Sequence, residues 1–230
     1  MKRKLECRWA LWCGVWMVIT LLAACDRLTK PTSSGRPYEV LVVVDDQLWQ
    51  RPAGRALFDV LDTDVPGLPQ PERSFRISQT TQKRFSQVLN IFRTIIKVDI
   101  DPTQYTQTKM KFTCDVYARP QVVLTIQSPN EKDFAAFVKK NSRSIIDFLV
   151  KVEMNRQINE LEEKHSEAVS QLAEEIFKCQ LWAPAEIKSY KKGKDFFWAS
   201  SNTASGLVNI CMYSYPYEGP RTFNKQYVLA

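Results

Sequence analysis

One side chain in this sequence stands in a setting that dictates covalent chemistry: Cys25, at the end of Leu22-Ala23-Ala24-Cys25. Lys2, Arg3, Lys4 and Arg8, diluted only by Glu6, form a positive start, and Trp9 to Leu22 carries no charge. That apolar stretch is shorter than the roughly 20 residues needed to span a hydrocarbon core. A charged start, a short apolar segment and small residues at the cleavage point are the marks of a secretory signal. Ala23 and Ala24 let the backbone enter a peptidase cleft, and the Cys25 thiol can be alkylated by a diacylglycerol. A single acyl chain anchors marginally, whereas two or more anchor stably. The expected product is a cell-envelope lipoprotein that begins at Cys25 and is held in a membrane by its lipid. It would sit on the periplasmic side or the cell surface, with the outer membrane favoured.

The other chemistry-bearing residues have plainer readings. His165, the one histidine, falls on an apolar helical stripe without HExxH or paired-histidine spacing, so it reads as a residue at a packing seam. No Gly-x-Ser-x-Gly elbow offers it a nucleophile. Asp45 and Asp46 follow a buried strand, where functional groups often stand. Adjacent residues of an extended chain point to opposite faces, so they read first as a turn and helix approach. Cys114, Cys179 and Cys211 are odd in number and lack CxxC spacing, although an exported chain can form a disulfide. Cys114 lies on the apolar side of its strand and reads as a small buried thiol. Lys188, Lys191, Lys192 and Lys194 precede Phe196-Phe197-Trp198. This reads as a solvated turn and a core strand, with anionic lipid headgroups the partner if the patch binds anything. The seven glycines form neither GxGxxG nor a P-loop. No catalytic, cofactor-binding or metal-ligating residue is assigned, and no cofactor is expected.

Residues 1–24 carry four basic and one acidic side chain, so their removal lowers the formal net charge from +7 to +4. That is too mild for a dedicated nucleic-acid binder.

The elements behind these residues follow from periodicity. Residues 25–37 are polar and broken by Pro and Gly, which suggests a flexible tether. Tyr38–Val44 is a continuous apolar strand, buried on both faces. Helices are expected over Pro52–Leu61 and from Thr80 or Thr81 to Phe92, the latter on a stripe of Phe85, Val88, Leu89 and Phe92. Strands are expected at Ser74–Ser78, Thr94–Ile100, Lys109–Tyr117 and Gln121–Gln127. Lys109–Tyr117 alternates, with Met110, Phe112, Cys114 and Val116 on its buried face. Asn130 to Ala183 has no Pro or Gly, and suggests one long amphipathic helix around residues 131–179, or two with a change of partner near 150–154. Met154, Ile158, Leu161, His165, Leu172 and Ile176 form a seam suited to a partner helix. That partner is either residues 134–149 or the same helix of a second molecule. A meander of Glu186–Tyr190, Asp195–Ser200 and Leu207–Tyr215 closes the chain. The fold class is therefore α+β, a mainly antiparallel sheet packed by helices, in a single domain over residues 38–230.

Several segments carry a resemblance: Leu68-Pro69-Gln70-Pro71-Glu72 before Phe75, Ala118-Arg119-Pro120-Gln121, Asp195-Phe196-Phe197-Trp198 and Tyr213-Ser214-Tyr215-Pro216-Tyr217. With the Leu-Ala-Ala-Cys signal, the chain resembles an uncharacterised lipoprotein family of Bacteroidota, the domain-of-unknown-function family four-eight-three-seven, over residues 36–230. The resemblance implies an envelope lipoprotein and no particular activity. Family members continue past Tyr213–Tyr217, so a C-terminally shortened member is expected.

The functional expectation is a membrane-anchored binding or structural component. Its partners are the membrane through Cys25 and an envelope protein or a second copy, not nucleic acid. The sequence leaves catalysis open and leans against it; the alternative is an envelope hydrolase using Asp45 or Asp46.

Overall fold

The structure, a computed structural model, describes residues 30–86, 88–203 and 206–228. The expected signal peptide and the lipidation at Cys25 lie outside them. The chain divides into two compact units, one ending at Glu153 and the other beginning at Met154, where the sequence reads as one domain.

The first unit is built on five strands: β1 (Glu39–Val43), β2 (Arg76–Thr80), β3 (Thr94–Ile100), β4 (Lys109–Cys114) and β5 (Val122–Ser128). Their spatial order is β2-β1-β3-β5-β4. β1 pairs in parallel with β2 and β3, and β3 in parallel with β5, while β4 runs antiparallel to β5. The sheet is thus mixed and largely parallel. This agrees with the unbroken apolar run of β1, whose Val40 to Val43 are all buried, since parallel strands are covered on both faces.

One face carries Val40, Val42, Ile96, Leu124 and Ile126, which pack with Leu57, Leu61, Phe134, Val138, Ile145 and Leu149. These come from α2 (Pro52–Leu61), α3 (Glu131–Lys140) and the first half of α4 (Ser142–Glu163). A short helix, α1 (Asp46–Gln50), precedes α2. Arg51 between them is extended, with φ −79° and ψ 164°, because Pro52 excludes the helical region from its predecessor. The two helices turn tightly at Gly54, where a Cβ would lie 2.2 Å from the Leu48 carbonyl oxygen.

The other face carries Val43, Ile95 and Val123 beneath Phe85, Phe92 and Tyr117. No helix provides this cover, contrary to the stripe at residues 80–92. Thr81 does cap a turn, its Oγ1 accepting from the Arg84 amide at 3.3 Å, but the helix goes no further. Phe85 and Phe92 reach the sheet from separate turns, and Val88 of the same stripe is 74 % exposed. Residues 30–37 of the expected tether are docked where described. The Ser33 amide donates to Arg119 O and the Ser34 amide to Ile91 O, while Arg119 and Arg93 amides donate back to Pro31 and Ser34.

β4 is an edge strand, so Phe112 and Cys114 are exposed rather than buried. Phe112 still meets Phe148, ring centroids 5.0 Å apart. Lys109 and Lys111 on this edge discourage further strand pairing.

The long helix is broken twice, at positions other than 150–154. At Asn141 the side chain donates to Phe137 O at 2.8 Å, competing with the backbone ladder. At Ser166 the amide donates to Ala183 O and the hydroxyl to Ile187 O, which draws the chain out of helical register.

The second unit contains α5 (Glu167–Phe177) and an antiparallel meander, β6 (Ser189–Lys192), β7 (Phe196–Thr203) and β8 (Gly206–Tyr213). Val169, Leu172 and Ala173 of α5 pack on Phe197 and Ala199, with Ile210 and Met212 beside them. Helices and strands in these proportions make the chain α+β, with antiparallel pairing dominating the smaller sheet.

Candidate functional site

Three places could carry function, and each is assembled by the first or the second unit alone. The first is the carboxyl edge of the parallel strands. From β1 the chain moves to β2 on one side and then to β3 on the other, so Asp45 and Asp46 stand at a topological switch point, where open sheets commonly bind ligands. Asp45 is the N-cap of α1 without a side-chain cap bond. Asp46 is fastened: its carboxylate receives a hydrogen bond from Gln79 Nε2 at 3.0 Å and an ion pair from Arg84 Nη2. Gln79 also donates to Val44 O at 2.9 Å. The arrangement ties the end of β1 to the end of β2.

The acids after β3 are fastened too. Tyr105 donates its hydroxyl proton to Asp99 and accepts from Gln127 Nε2 at 2.6 Å. The hydrogen bond to the Asp99 carboxylate raises the Tyr105 hydroxyl above its ordinary value of 10.0. Asp101 accepts from the Thr103 hydroxyl at 2.6 Å, the Thr103 amide at 2.8 Å and Gln104 Nε2 at 2.9 Å. The Thr103 hydroxyl, then the Thr103 amide, hold its carboxyl below the usual 3.8. Lys97, mid-strand in β3, donates to the Tyr117 hydroxyl at 3.1 Å and lies 4.6 Å from the centre of the Phe85 ring. Charge is abundant on this side, and its bonds are internal.

The second place is a cleft of about 670 Å³ in the first unit, within the range of small-ligand sites. Tyr38, Val65, Pro66, Ile146 and Val150 supply apolar wall, and Arg73, Asp64, Arg143 and Asp147 supply charge. The wall over residues 62–74 is a closed loop. The Val65 amide donates to Glu72 O and the Ser74 amide to Thr63 O, each at 2.8 Å. Arg73 crosses it, with Nε 3.3 Å from Asp62 and Nη1 3.4 Å from Asp64. Between these contacts lies Pro66-Gly67-Leu68-Pro69-Gln70-Pro71, whose prolines limit backbone freedom. Gly67 turns at φ +86° with nothing within 4 Å of its would-be Cβ. Arg143 sits one turn before Asp147, 3.5 Å from it, on the first half of α4. In the sequence, Leu68-Pro69-Gln70-Pro71-Glu72 stands out only as part of the family resemblance. The missed signal was Ile146 and Val150, a second apolar pair beside the core pair Ile145 and Leu149.

The third place is a cleft of about 620 Å³ in the second unit, lined by His165, Glu174, Glu175, Cys179 and Trp182 among others. His165 lies in the break before α5 rather than on a continuous helix. Its Nδ1 is 2.9 Å from Leu161 O, and its ring stacks on Trp182 at 5.9 Å. Cys114, Cys179 and Cys211 are all free thiols. Among the described residues no group of three or more His, Cys, Asp or Glu could hold a metal ion, and no helix is long and apolar enough to cross a membrane.

The model of one family matches residues 33–162, more than half of the chain. The chain belongs to the family of the domain of unknown function DUF8532. A second model, the domain of unknown function DUF4837, matches residues 166–230. The family resemblance read over residues 36–230 therefore holds for the C-terminal part, and the DUF8532 segment accounts for the rest. The junction between the matches falls at the break before α5. No curated protein and no solved structure matches the chain. The switch-point acids and the larger cleft lie in the DUF8532 segment, and His165 stands between the two matches.

Proposed function

We propose that the chain is a lipid-anchored component of the cell envelope that acts by binding, with the DUF8532 cleft as its recognition site. The anchor rests on Leu22-Ala23-Ala24-Cys25 behind an uncharged segment and a basic start. The observation that carries the binding reading is the cleft itself: apolar walls at Pro66, Ile146 and Val150 with balanced charges at Arg73, Asp64, Arg143 and Asp147. Such a lining suits a peptide-like partner, apolar in body and mixed in charge. The clamp of Arg84 and Gln79 on Asp46 gives that residue a loop-holding role, which favours binding over the hydrolase alternative. A helix partner or a second copy is proposed as well, because Met154 and Ile158, one turn apart on α4, are 49 % and 47 % exposed.

A photo-crosslinking residue at Arg143 in cells tests the cleft. The expected result is a discrete adduct, absent when the same residue replaces exposed Lys132 on α3. No adduct at Arg143, or the same adducts at both positions, would contradict the reading.

A further inference from the structure

The meander of the second unit leaves several large side chains exposed on one face. Cross-strand register places Phe196 opposite Tyr213 and Trp198 opposite Cys211, and directly opposed residues share a face. That face is the one turned away from α5. Trp198 is 38 %, Tyr213 58 % and Leu207 65 % exposed. Two of the rings have side-chain partners: Trp198 Nε1 donates to Asn209 Oδ1 at 3.1 Å, and Tyr213 stacks on Tyr215 at 5.9 Å.

The segment that forms this face is basic in sequence. Over residues 186–225, Lys188, Lys191, Lys192, Lys194, Arg221 and Lys225 stand against Glu186, Asp195 and Glu218. Lys192 is engaged with Glu175, on the side of α5. Lys191 lies opposite Trp198 and so shares the outer face, with exposed Lys194 in the same turn.

Trp and Tyr favour the boundary between hydrocarbon and water, where an apolar ring and a polar tip are both accommodated. Lysines near such a boundary are attracted to anionic headgroups. We propose that this outer face is a membrane-docking surface that lies on anionic lipid headgroups, its lysines meeting phosphate and Trp198, Phe196 and Tyr213 entering the interface. The inference deepens the anchored-protein reading by giving the second unit its own contact with lipid, and it stands or falls apart from Cys25.

Its test uses the chain from residue 26, which lacks the lipid yet keeps every residue of the three buried clusters. The protein is sedimented with vesicles rich in phosphatidylglycerol and with vesicles of phosphatidylcholine alone. The expected result is pelleting with the anionic vesicles only, weakened by salt. Lys191→Glu with Lys194→Glu should weaken it by about tenfold or more. The same charge change at Lys139 and Lys140 of α3 should leave it nearly unchanged. Circular dichroism establishes that each variant is folded. A wild-type chain that stays in solution with anionic vesicles, or an equal loss in both double variants, overturns the proposal. So does a dimer that ignores vesicles, because the face would then serve a second copy. A separate mass measurement at Cys25 reports on the anchor, so either idea can fail alone.

Discussion

In the first unit, α2, α3 and α4 cover one face of the five-stranded sheet while Phe85, Phe92 and Tyr117 cover the other. In the second unit, α5 covers Phe197 and Ala199, but Phe196 and Trp198 of the same strand look outward. The difference is written in the strands. β1 is apolar from Val40 to Val43 because both of its faces are buried, whereas β7 alternates over Phe196–Ala199, with Phe196 and Trp198 exposed and Phe197 and Ala199 buried. A doubly covered sheet stores stability in both faces; a singly covered one leaves an apolar surface available for contact.

The largest expected effects lie in the first unit. Phe134→Ala empties a fully buried position and should destabilise by about 3–5 kcal/mol in denaturant unfolding. Glu153, 3 % exposed, pairs with Arg93 at 2.7 Å. Glu153→Ala should destabilise by about 3–5 kcal/mol, since it leaves a partly buried guanidinium without this partner. Losses below about 1 kcal/mol at both sites would break the picture of a tightly covered first unit.

In the second unit, Phe197→Ala should lower stability by about 3 kcal/mol, and Phe196→Ala by under about 1 kcal/mol. Tryptophan fluorescence of the residue 26–230 chain in a Trp49→Phe background reads this unit, because Trp182 and Trp198 are then its remaining tryptophans. Equal effects at the two neighbours would refute the one-sided cover.

The smallest effect concerns pH. The Asp101 carboxyl is held below its ordinary value, so its contribution is present above the unfolded value and fades as pH falls through the folded one. Tyr105 is raised, so its contribution is present below the unfolded value and fades as pH rises through the folded one. Asp101→Asn should flatten the acid side of the stability profile slightly and leave the alkaline side alone. An unchanged acid side would sever the link between the Thr103 bonds and stability.

Much of this architecture was legible in the residues. β1, α2, β3 and the terminal meander follow from short β-branched runs, Pro at a helix start and turn residues, all local signals. The parallel pairing of β1 with β2 and β3 did not follow, although the double burial of β1 pointed to it, because register depends on distant partners. The helix expected at residues 80–92 failed for a similar reason: an apolar spacing that suits a helix also suits two turns laying Phe85 and Phe92 on one sheet. Asn141 and Ser166 broke the long helix through bonds to Phe137, Ala183 and Ile187, the last two of them tertiary. Of the candidate residues, Asp45 and Asp46 were found where a strand end placed them, and only the structure showed Asp46 clamped by Arg84. The cleft beside Arg73 was invisible because its walls come from segments far apart in sequence.

The central proposal is lipid anchoring at Cys25. Mass spectrometry of the protein extracted from membranes of its producing cells measures it directly. The account predicts an N-terminus at Cys25 carrying diacylglycerol, and loss of that form in Cys25→Ser. A soluble chain starting elsewhere, or one that retains residues 1–24 without lipid, would contradict it.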